Sequence, residues 1–169
     1  NGNGTFKTQA TFTTGTSPRS VTLGDVNGDG ILDIIIANSD DDNVSVLLNT
    51  TVSGSTTPTF AAQASPTTGS GSEPYSVTLG DVNGDGKLDI ITANKDVDTA
   101  SVLLGNGNGT FATAVNYTTG DRPKSVTLGD VNGDGILDII TANSNSDDAS
   151  VLLGNGNGTF QIPPLATGT

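Results

Sequence analysis

The sequence predicts an all-β protein built from three copies of one repeat, and two observations support this prediction. The segment GDVNGDGxLDII occurs three times in 169 residues, beginning at Gly24, Gly80 and Gly129. Short apolar runs lie between the copies, separated by Asn-Gly and Asp-Gly dipeptides that suit turns with positive φ. No stretch of 11 residues has helical periodicity. We therefore expect repeats made of strands.

The strands of a repeat can be assigned in order. Ser20–Val26 alternates apolar with small or polar residues, whereas Leu32–Ala37 is a continuous apolar run, typical of a strand buried on both faces. Asn43–Leu48 and Ala100–Leu104 give a third strand, and Phe111–Thr118 gives a fourth. Four short strands in a tandem repeat of 49 residues are typical of a β-propeller blade. A β-solenoid is the alternative, but its repeat is usually shorter.

A second block follows each copy of the first, and its length explains the unequal spacing of the repeats. It reads LLGNGNGTF at 103–111 and 152–160, and residues 1–6 repeat its tail. In the first repeat it is LLNTTVSGSTTPTF at 47–60, five residues longer, and two further residues enter before Val77. Successive copies are therefore 56 and 49 residues apart. Both insertions fall in turn-rich sequence, where a longer loop costs little.

This order of elements divides a single repeat domain into blades. We expect the domain at 1–169, with blade 1 at about 19–69, blade 2 at about 75–119 and blade 3 at about 124–160. The third blade still needs a fourth strand, and either 5–14 or 161–169 completes it. Pro163 and Pro164 suit a central strand poorly, which favours pairing of the N-terminal segment with Ser150–Leu153.

Composition excludes several kinds of site and partner. The chain has 18 acidic and 6 basic residues, a formal net charge of -12, and no Cys, His, Met or Trp. Disulfide scaffolds, zinc sites, cysteine nucleophiles and Ser-His-Asp triads are therefore excluded. Six scattered bases form no basic patch, so we expect no nucleic-acid partner. No apolar run approaches the roughly 18 residues that would predict a membrane span.

The nine-residue loop DVNGDGxLD is the chemical centre of each repeat. Side-chain oxygens stand at loop positions 1, 3, 5 and 9, and a backbone carbonyl at position 7 can face inward. Hard cations such as Ca²⁺ bind about six to eight oxygens, and three carboxylates this close would repel one another without a cation. The spacing therefore predicts one Ca²⁺ site per repeat. The ligands would be Asp25, Asn27, Asp29, Ile31 (carbonyl) and Asp33; Asp81, Asn83, Asp85, Lys87 (carbonyl) and Asp89; and Asp130, Asn132, Asp134, Ile136 (carbonyl) and Asp138.

Other interpretations of the loop are weaker. An EF-hand needs a Glu at loop position 12 and flanking helices, but position 12 is Ile36, Thr92 or Thr141 and the flanks read as strands. Dockerin modules share DVNGDG but also place a helix after the loop. Mg²⁺ prefers to keep several waters. A polar turn without metal is the remaining alternative.

Enzymatic activity is not expected. A glycosidase would need a pair of catalytic carboxylates, and the carboxylates of these loops are better explained as metal ligands.

Together these blocks resemble the FG-GAP/VCBS-type repeat, which forms the blades of integrin-α-like propellers and of many secreted bacterial proteins. The loop DVNGDGxLDII carries the resemblance, followed by LLGNGNGTF and SVTLGD. The resemblance implies Ca²⁺ at the oxygens named above. Lys87 replaces Ile in the second loop, but only its carbonyl should ligate, so that site should survive.

The family usually makes seven blades, whereas this chain encodes about three. Unpartnered blade faces and strand edges favour association. We expect either two chains that form a six-bladed ring with two-fold symmetry, or more blades in a longer parent chain. A partial propeller or half of an oligomeric ring is thus the expected architecture.

The repeats differ most in the loop before the innermost strand, where propellers often display ligand contacts. Because lectin propellers hold sugars between blades, the resemblance makes Arg19, Tyr75, Arg122 and Lys124 candidates for a glycan or extracellular protein ligand. Neutral variation on a solvated loop is the alternative. Four phenylalanines recur at one repeat position and are expected in the interblade core, namely Phe6, Phe60, Phe111 and Phe160.

We expect the protein to be a Ca²⁺-stabilised extracellular scaffold or adhesion module without catalytic activity. Extracellular Ca²⁺ modules work at about 10⁻⁴–10⁻³ M, a concentration that the cytosol does not offer. A lectin-like propeller is one alternative. A non-catalytic propeller domain of a secreted polysaccharide-degrading enzyme is another.

Overall fold

The computed structural model describes Gly4, residues 8–61 and residues 64–161, and the regular structure in this part is all β-sheet. The strands are β1 (Pro18–Gly24), β2 (Asp33–Asn38), β3 (Asn43–Leu47), β4 (Pro74–Gly80), β5 (Asp89–Asn94), β6 (Thr99–Leu103), β7 (Val115–Thr118), β8 (Pro123–Gly129), β9 (Asp138–Asn143), β10 (Asp148–Gly154) and β11 (Phe160–Gln161). No helix able to cross a membrane occurs among the described residues.

The strands form three antiparallel sheets, and each sheet keeps its strands in chain order. The orders are β1-β2-β3, β4-β5-β6-β7 and β8-β9-β10-β11. The predicted all-β fold of antiparallel blades is therefore confirmed, and we call the sheets blades 1, 2 and 3. They stand in a row, with β1 beside β4 and β4 beside β8, and the described strands do not close into a ring.

The fourth strand differs among the blades. Blade 2 has the complete β7. In blade 1 the fourth position is taken by residues 64–68, which bond to β3 through the Val46 amide on the Ala64 carbonyl (2.8 Å) and the Val44 amide on the Pro66 carbonyl (3.0 Å). In blade 3 the described part of this strand is the two-residue β11, paired with Leu153 and Gly154 of β10. The predicted strand at 161–169 lies outside the described residues apart from Gln161, and the alternative at 5–14 is described only from residue 8 onward.

Asp residues make the hairpins between the second and third strands. Asp42, Asp98 and Asp147 occupy equivalent positions with φ of 53°, 53° and 55°. Among non-glycine residues, Asp and Asn adopt this left-handed conformation most readily, because their short polar side chains bond locally. The Asp42 side chain, for example, accepts the amides of Gly71 (2.6 Å) and Glu73 (2.9 Å). These turns fix the register of each hairpin.

The core lies between blades. One cluster fills the space between blades 1 and 2, and a second fills the space between blades 2 and 3. The central strands contribute to both faces of a blade, as the continuous apolar runs predicted: Ile90 belongs to the first cluster and the adjacent Ile91 to the second. Phe111 and Phe160 pack in these clusters and Phe60 contacts Phe12, whereas Phe6 lies outside the described residues.

Candidate functional site

Each predicted metal loop connects the first and second strands of its blade. In loop 1 the chain turns through Gly28 and Gly30, whose φ values are 79° and 82°. A side chain at either position would be strained, which explains the fixed glycines of the motif. The two glycines therefore fix the backbone conformation of loop 1. The equivalent glycines of loops 2 and 3 have similar positive φ values.

The carboxylate at position 1 organises the loop. Asp25 Oδ1 accepts the amides of Gly28 (2.7 Å) and Asp29 (3.1 Å), and Oδ2 accepts the amide of Gly30 (2.7 Å). Asp81 and Asp130 repeat these contacts in their own loops. Hydrogen bonds to the charged form stabilise it, so the Gly30 amide above all lowers the pKa of Asp25.

The carboxylate at position 9 is fully buried and joins two distant parts of the blade. Asp33 Oδ2 accepts the Val26 amide (3.0 Å) at the start of the loop, and Oδ1 accepts the Asn49 amide (2.7 Å) beyond β3. Asp89 makes the same pair of bonds to Val82 (2.9 Å) and Gly105 (2.7 Å). The sequence pattern predicts only a ligand role for this Asp. Its position directly before a continuous apolar strand was the available signal of burial.

Burial changes the acidity of Asp89. The pKa of Asp89 is raised by its removal from water, and the negative charges of Asp85 and Asp81 raise it further. The amides of Gly105 and Val82 oppose this rise. Loop 2 thus holds three acidic groups that act on one another electrostatically.

Positions 3, 5 and 7 distinguish loop 2 from the other two. In loop 1 the Asn27 Nδ2 donates to Asp29 Oδ2 (3.0 Å), and loop 3 repeats the contact at 2.9 Å. In loop 2 the corresponding oxygen of Asp85 lies 3.3 Å from Lys87 Nζ. The Lys87 backbone amide and then its side chain lower the pKa of Asp85. The replacement of isoleucine by lysine therefore changes the electrostatic environment of Asp85.

The donor set suits Ca²⁺ by its chemistry, since it offers carboxylate, amide and carbonyl oxygens and no nitrogen or sulfur ligand. In the described conformation the loop amides take up the carboxylate oxygens. Among the described residues no three acidic side chains converge as they would around a metal ion. In this conformation the predicted ligands of each loop lie near one another, and their carboxylate oxygens accept hydrogen bonds from backbone amides.

Blade packing treats the three loops differently. The Gly109 amide of blade 2 donates to the Val26 carbonyl in loop 1 (3.0 Å), and the Gly158 amide of blade 3 donates to the Val82 carbonyl in loop 2 (3.1 Å). Val26 and Val82 are each 3% exposed, whereas Val131 of loop 3 is 56% exposed. Loops 1 and 2 are therefore supported by a following blade, and loop 3 lies at the end of the row.

Three of the four predicted ligand-contact residues come together. Tyr75 of β4 lies between Arg19 of β1 and Lys124 of β8, with Arg19 Cζ at 5.4 Å and Lys124 Nζ at 6.0 Å from its ring centroid. These distances permit cation–π attraction. Arg122 instead pairs with Asp96, its Nη2 lying 3.3 Å from Oδ1. Sequence spacing could not separate Arg122 from the others, because the pairing depends on the neighbouring hairpin.

The insertion in the first repeat also forms an open groove of about 450 Å³ beside loop 1. It is lined by Ile31, Asn49, Pro58 and the residues between Thr51 and Thr56. The sequence predicts only a longer loop at this insertion. Its length was the signal, but the groove depends on how the insertion folds back against Ile31.

Comparison with known proteins agrees with this repeat structure. The model of a family described as FG-GAP-like repeat matches residues 1–36, 25–92, 81–141 and 130–169. The matches overlap and together span the chain, and three of them begin at the position 1 Asp of a loop. No curated protein matches the chain significantly. Because the family model covers the whole sequence, the chain belongs to the FG-GAP-like repeat family.

Proposed function

We propose that the protein is a Ca²⁺-binding, non-catalytic structural module of an extracellular protein. The observation that supports this most strongly is the threefold recurrence of one loop in which three carboxylates lie within nine residues. Charge of one sign concentrated in this way is stabilised by a cation. The oxygen-only donor set favours Ca²⁺ among the common metals.

The residues that would hold the ion are the side chains at positions 1, 3, 5 and 9 and the carbonyl at position 7 of each loop. When bound, Ca²⁺ supplies positive charge that offsets the loop carboxylates. The protein's own residues hold the loop in a fixed conformation. The position 1 Asp fixes the loop amides, and the position 9 Asp fastens the loop to the strand ends. Calcium binding then stabilises the blade by mass action.

A structural role also accounts for the state of the acidic groups. Catalysis by paired carboxylates requires groups free to exchange protons with a substrate. Here Asp33, Asp89 and Asp138 are fully buried, and both oxygens of each are bonded to backbone amides. We propose extracellular Ca²⁺, at about 10⁻⁴–10⁻³ M for such modules, as the source of the ion.

Thermal unfolding in CaCl₂, MgCl₂ and EDTA tests the proposal. We expect Ca²⁺ to raise the Tm by several degrees, because ligand at about 100 times its Kd adds about 2.7 kcal/mol per site. The triple variant Asp25→Asn, Asp81→Asn and Asp130→Asn should lose this rise.

A matched triple variant, Asp40→Asn, Asp121→Asn and Asp147→Asn, removes the same charge outside the loops and should keep the Ca²⁺ response. An unchanged Tm of the natural sequence with and without Ca²⁺ would overturn the proposal. So would an equal response in the two triple variants.

We also propose that the chain self-associates, with two copies giving six blades. Apolar side chains at the two ends of the row support this, since Val21 and Leu23 at one end and Val131 at the other are more than half exposed. Light scattering of the purified chain measures the particle mass. A mass of 16.9 kDa at all concentrations, that of one chain, would contradict this proposal.

A ligand site at Tyr75 is a second candidate function, favoured by the convergence of two cations on one ring. In a chain of net charge -12, Arg19 and Lys124 form no ion pair among the described residues. We propose that this cluster binds an acidic glycan, whose carboxylates pair with the cations while a sugar ring stacks on Tyr75.

Calorimetry with an oligomer of uronic acid and with a neutral oligosaccharide tests this. We expect binding of the acidic oligomer alone, and a loss of at least tenfold in affinity for Arg19→Ala. Arg122→Ala is the matched control, because that side chain pairs with Asp96 and should leave the affinity unchanged. Equal effects of the two variants would contradict the site.

A further inference from the structure

The two faces of each blade are chemically different, and the chain pairs them twice. We call the side that packs against the preceding blade the front face and the other side the back face. The front face of blade 2 contributes Val77, Leu79, Leu88, Ile90 and Leu103, which pack on Val26, Ile35, Ala37, Val44 and Val46 of the back face of blade 1. The front face of blade 3 packs on the back face of blade 2 in the same way.

The front face of blade 1 carries the same residue types, and although its Leu47 is buried, no blade packs on this face among the described residues. Val21 is 64% exposed, whereas the equivalent Val77 and Val126 are 6% and 7% exposed in the two inner interfaces. Leu23 and Leu32 are also largely exposed, although their counterparts in blades 2 and 3 pack in the cores. This end face therefore presents an apolar surface of the kind that the chain buries elsewhere.

The back face of blade 3 is the complementary surface. Val131 is exposed where Val26 and Val82 are buried. Ala142 and Ala149 are exposed at positions where Ala93 and Ala100 are fully buried against blade 3. Among the described residues a front face and a back face thus lie open at opposite ends of the row, and a second copy of this chain carries the match for each.

The segment before β1 adds a directional observation. Phe12 contacts Phe60 of blade 1 edge-to-face at 4.7 Å, as Tyr117 contacts Phe160 of blade 3 at 5.4 Å. The Gly15 amide donates to Ser45 Oγ (3.1 Å), as the Gly120 amide donates to Ser150 Oγ (2.8 Å). Residues 8–14 therefore lie on blade 1 in the way that β7 lies on blade 3.

Among the described strands, residues 8–14 lack the pairing strand that β7 has. The strand β7 is the outer strand of blade 2 and pairs with β6 there. Residues 8–14 hold the corresponding position for a blade that would precede blade 1, but they form no ladder with any described strand. Meanwhile residues 148–152 of β10 pair on one side with β9 and have no described ladder on the other.

We propose that residues 8–14 of one copy form the outer strand of blade 3 in a second copy, on which the front face of blade 1 then packs. This deepens the self-association proposed above and depends on it. The ladder of β6 and β7 pairs Ser101 with Asn116 and Ala100 with Tyr117. Thr11 and Phe12 are equivalent to Asn116 and Tyr117, and Ser150 and Ala149 are equivalent to Ser101 and Ala100. The same register therefore places Thr11 opposite Ser150 of the partner chain and Phe12 opposite Ala149.

Cysteine pairing tests this register in a chain that has no cysteine of its own. Cross-strand neighbours have Cβ atoms about 4.5–5.5 Å apart, a separation near that of disulfides. Thr11→Cys and Ser150→Cys are prepared as separate variants, mixed and oxidised. We expect a mixed disulfide dimer as the main product. Thr11→Cys mixed with Ser101→Cys is the matched control and should give none, because Asn116 already occupies that edge.

The outcomes separate the two proposals. If the natural chain scatters light as one copy, self-association fails, and this inference fails with it. If the chain is dimeric and the Thr11→Cys and Ser150→Cys variants do not join, strand exchange is wrong and self-association stands. If one chain carrying both cysteines forms a disulfide within itself, the segment closes its own blade 3 and the exchange is also wrong.

Face blocking tests the head-to-tail contact without cysteines. Leu23→Asp should block the front face and Ala142→Asp the back face, so each variant alone should be monomeric. Their mixture should recover a dimer of one chain of each kind, because one open interface remains intact. Val97→Asp, on the exposed hairpin turn of blade 2, is the control and should stay dimeric. A dimer of Ala142→Asp alone would show a front-to-front contact and overturn the inference.

Discussion

Loops 1 and 3 have identical nine-residue sequences, and loop 2 differs from them only in Lys87. In loops 1 and 3 the position 5 carboxylate accepts a hydrogen bond from the position 3 side-chain amide, whereas in loop 2 the Lys87 ammonium also lies 3.3 Å from this carboxylate. A cation built into the loop would compete for this oxygen with the Ca²⁺ that we propose to bind there. The comparison shows that a position expected to act only through its carbonyl also acts through its side chain.

The largest effect in the loops should come from the position 9 carboxylate. Asp89→Ala leaves the buried amides of Val82 and Gly105 without an acceptor, at about 1–3 kcal/mol each. We expect the free energy of unfolding to fall by about 2–6 kcal/mol in EDTA, as measured by urea denaturation. Asp138→Ala should cost less, because its partner Val131 lies at the exposed end of the row. Equal losses in the two variants would contradict this effect of blade packing.

An intermediate effect is expected at Lys87. The Lys87→Ile variant gives loop 2 the sequence of loops 1 and 3, so its Ca²⁺ affinity should rise severalfold, within the roughly 0–1 kcal/mol of a surface ion pair. Calorimetry should then find stronger Ca²⁺ binding at loop 2, which we expect to be weakened by Lys87 in the natural chain. Lys124→Ile makes the same change of charge outside the loops and should not alter the site affinities. A rise of the same size in that control would mean that net charge alone is responsible.

The smallest effects concern the acidity of the calcium-free loops. Carboxyl NMR should find Asp25 and Asp130 titrating below 3.8 and Asp89 above it. For Asp25 and Asp130 the folded pKa is lowered, so their stabilisation is present above the unfolded pKa and is lost as the pH falls through the folded one. For Asp89 the folded pKa is raised, so stability falls as the pH rises through it. A titration of Asp89 below 3.8 would show that its two amide bonds outweigh burial.

The fold class was predictable because its signals are local and repeated. Alternation, apolar runs and Asn-Gly turns depend on a few adjacent residues, and three copies of each signal reinforce one another. The glycines of the loop and the Asp of the hairpin turns also follow from local backbone conformation. Strand boundaries moved by a few residues, since β1 begins at Pro18 where the pattern indicated Ser20.

Part of the site needed the folded chain. Asp33 reaches the Asn49 amide 16 residues away, and Lys87 turns back onto Asp85, neither of which follows from spacing alone. The candidate ligand residues show the same limit. Arg19, Tyr75 and Lys124 meet because β1, β4 and β8 lie side by side, while Arg122 turns to Asp96 of the preceding blade.

The sequence by itself determined that the chain consists of successive β-blades with one acidic loop in each. The strands, turns and oxygen donors of a repeat all depend on residues that are adjacent in the sequence. Only the tertiary structure decided how alike the copies are. In the part of the chain that the structure describes, blade 2 is covered on both faces, whereas blades 1 and 3 each expose one, since packing depends on neighbours that the copies do not share. For that reason Val21 and Val77 have the same sequence environment but differ tenfold in exposure, at 64% and 6%.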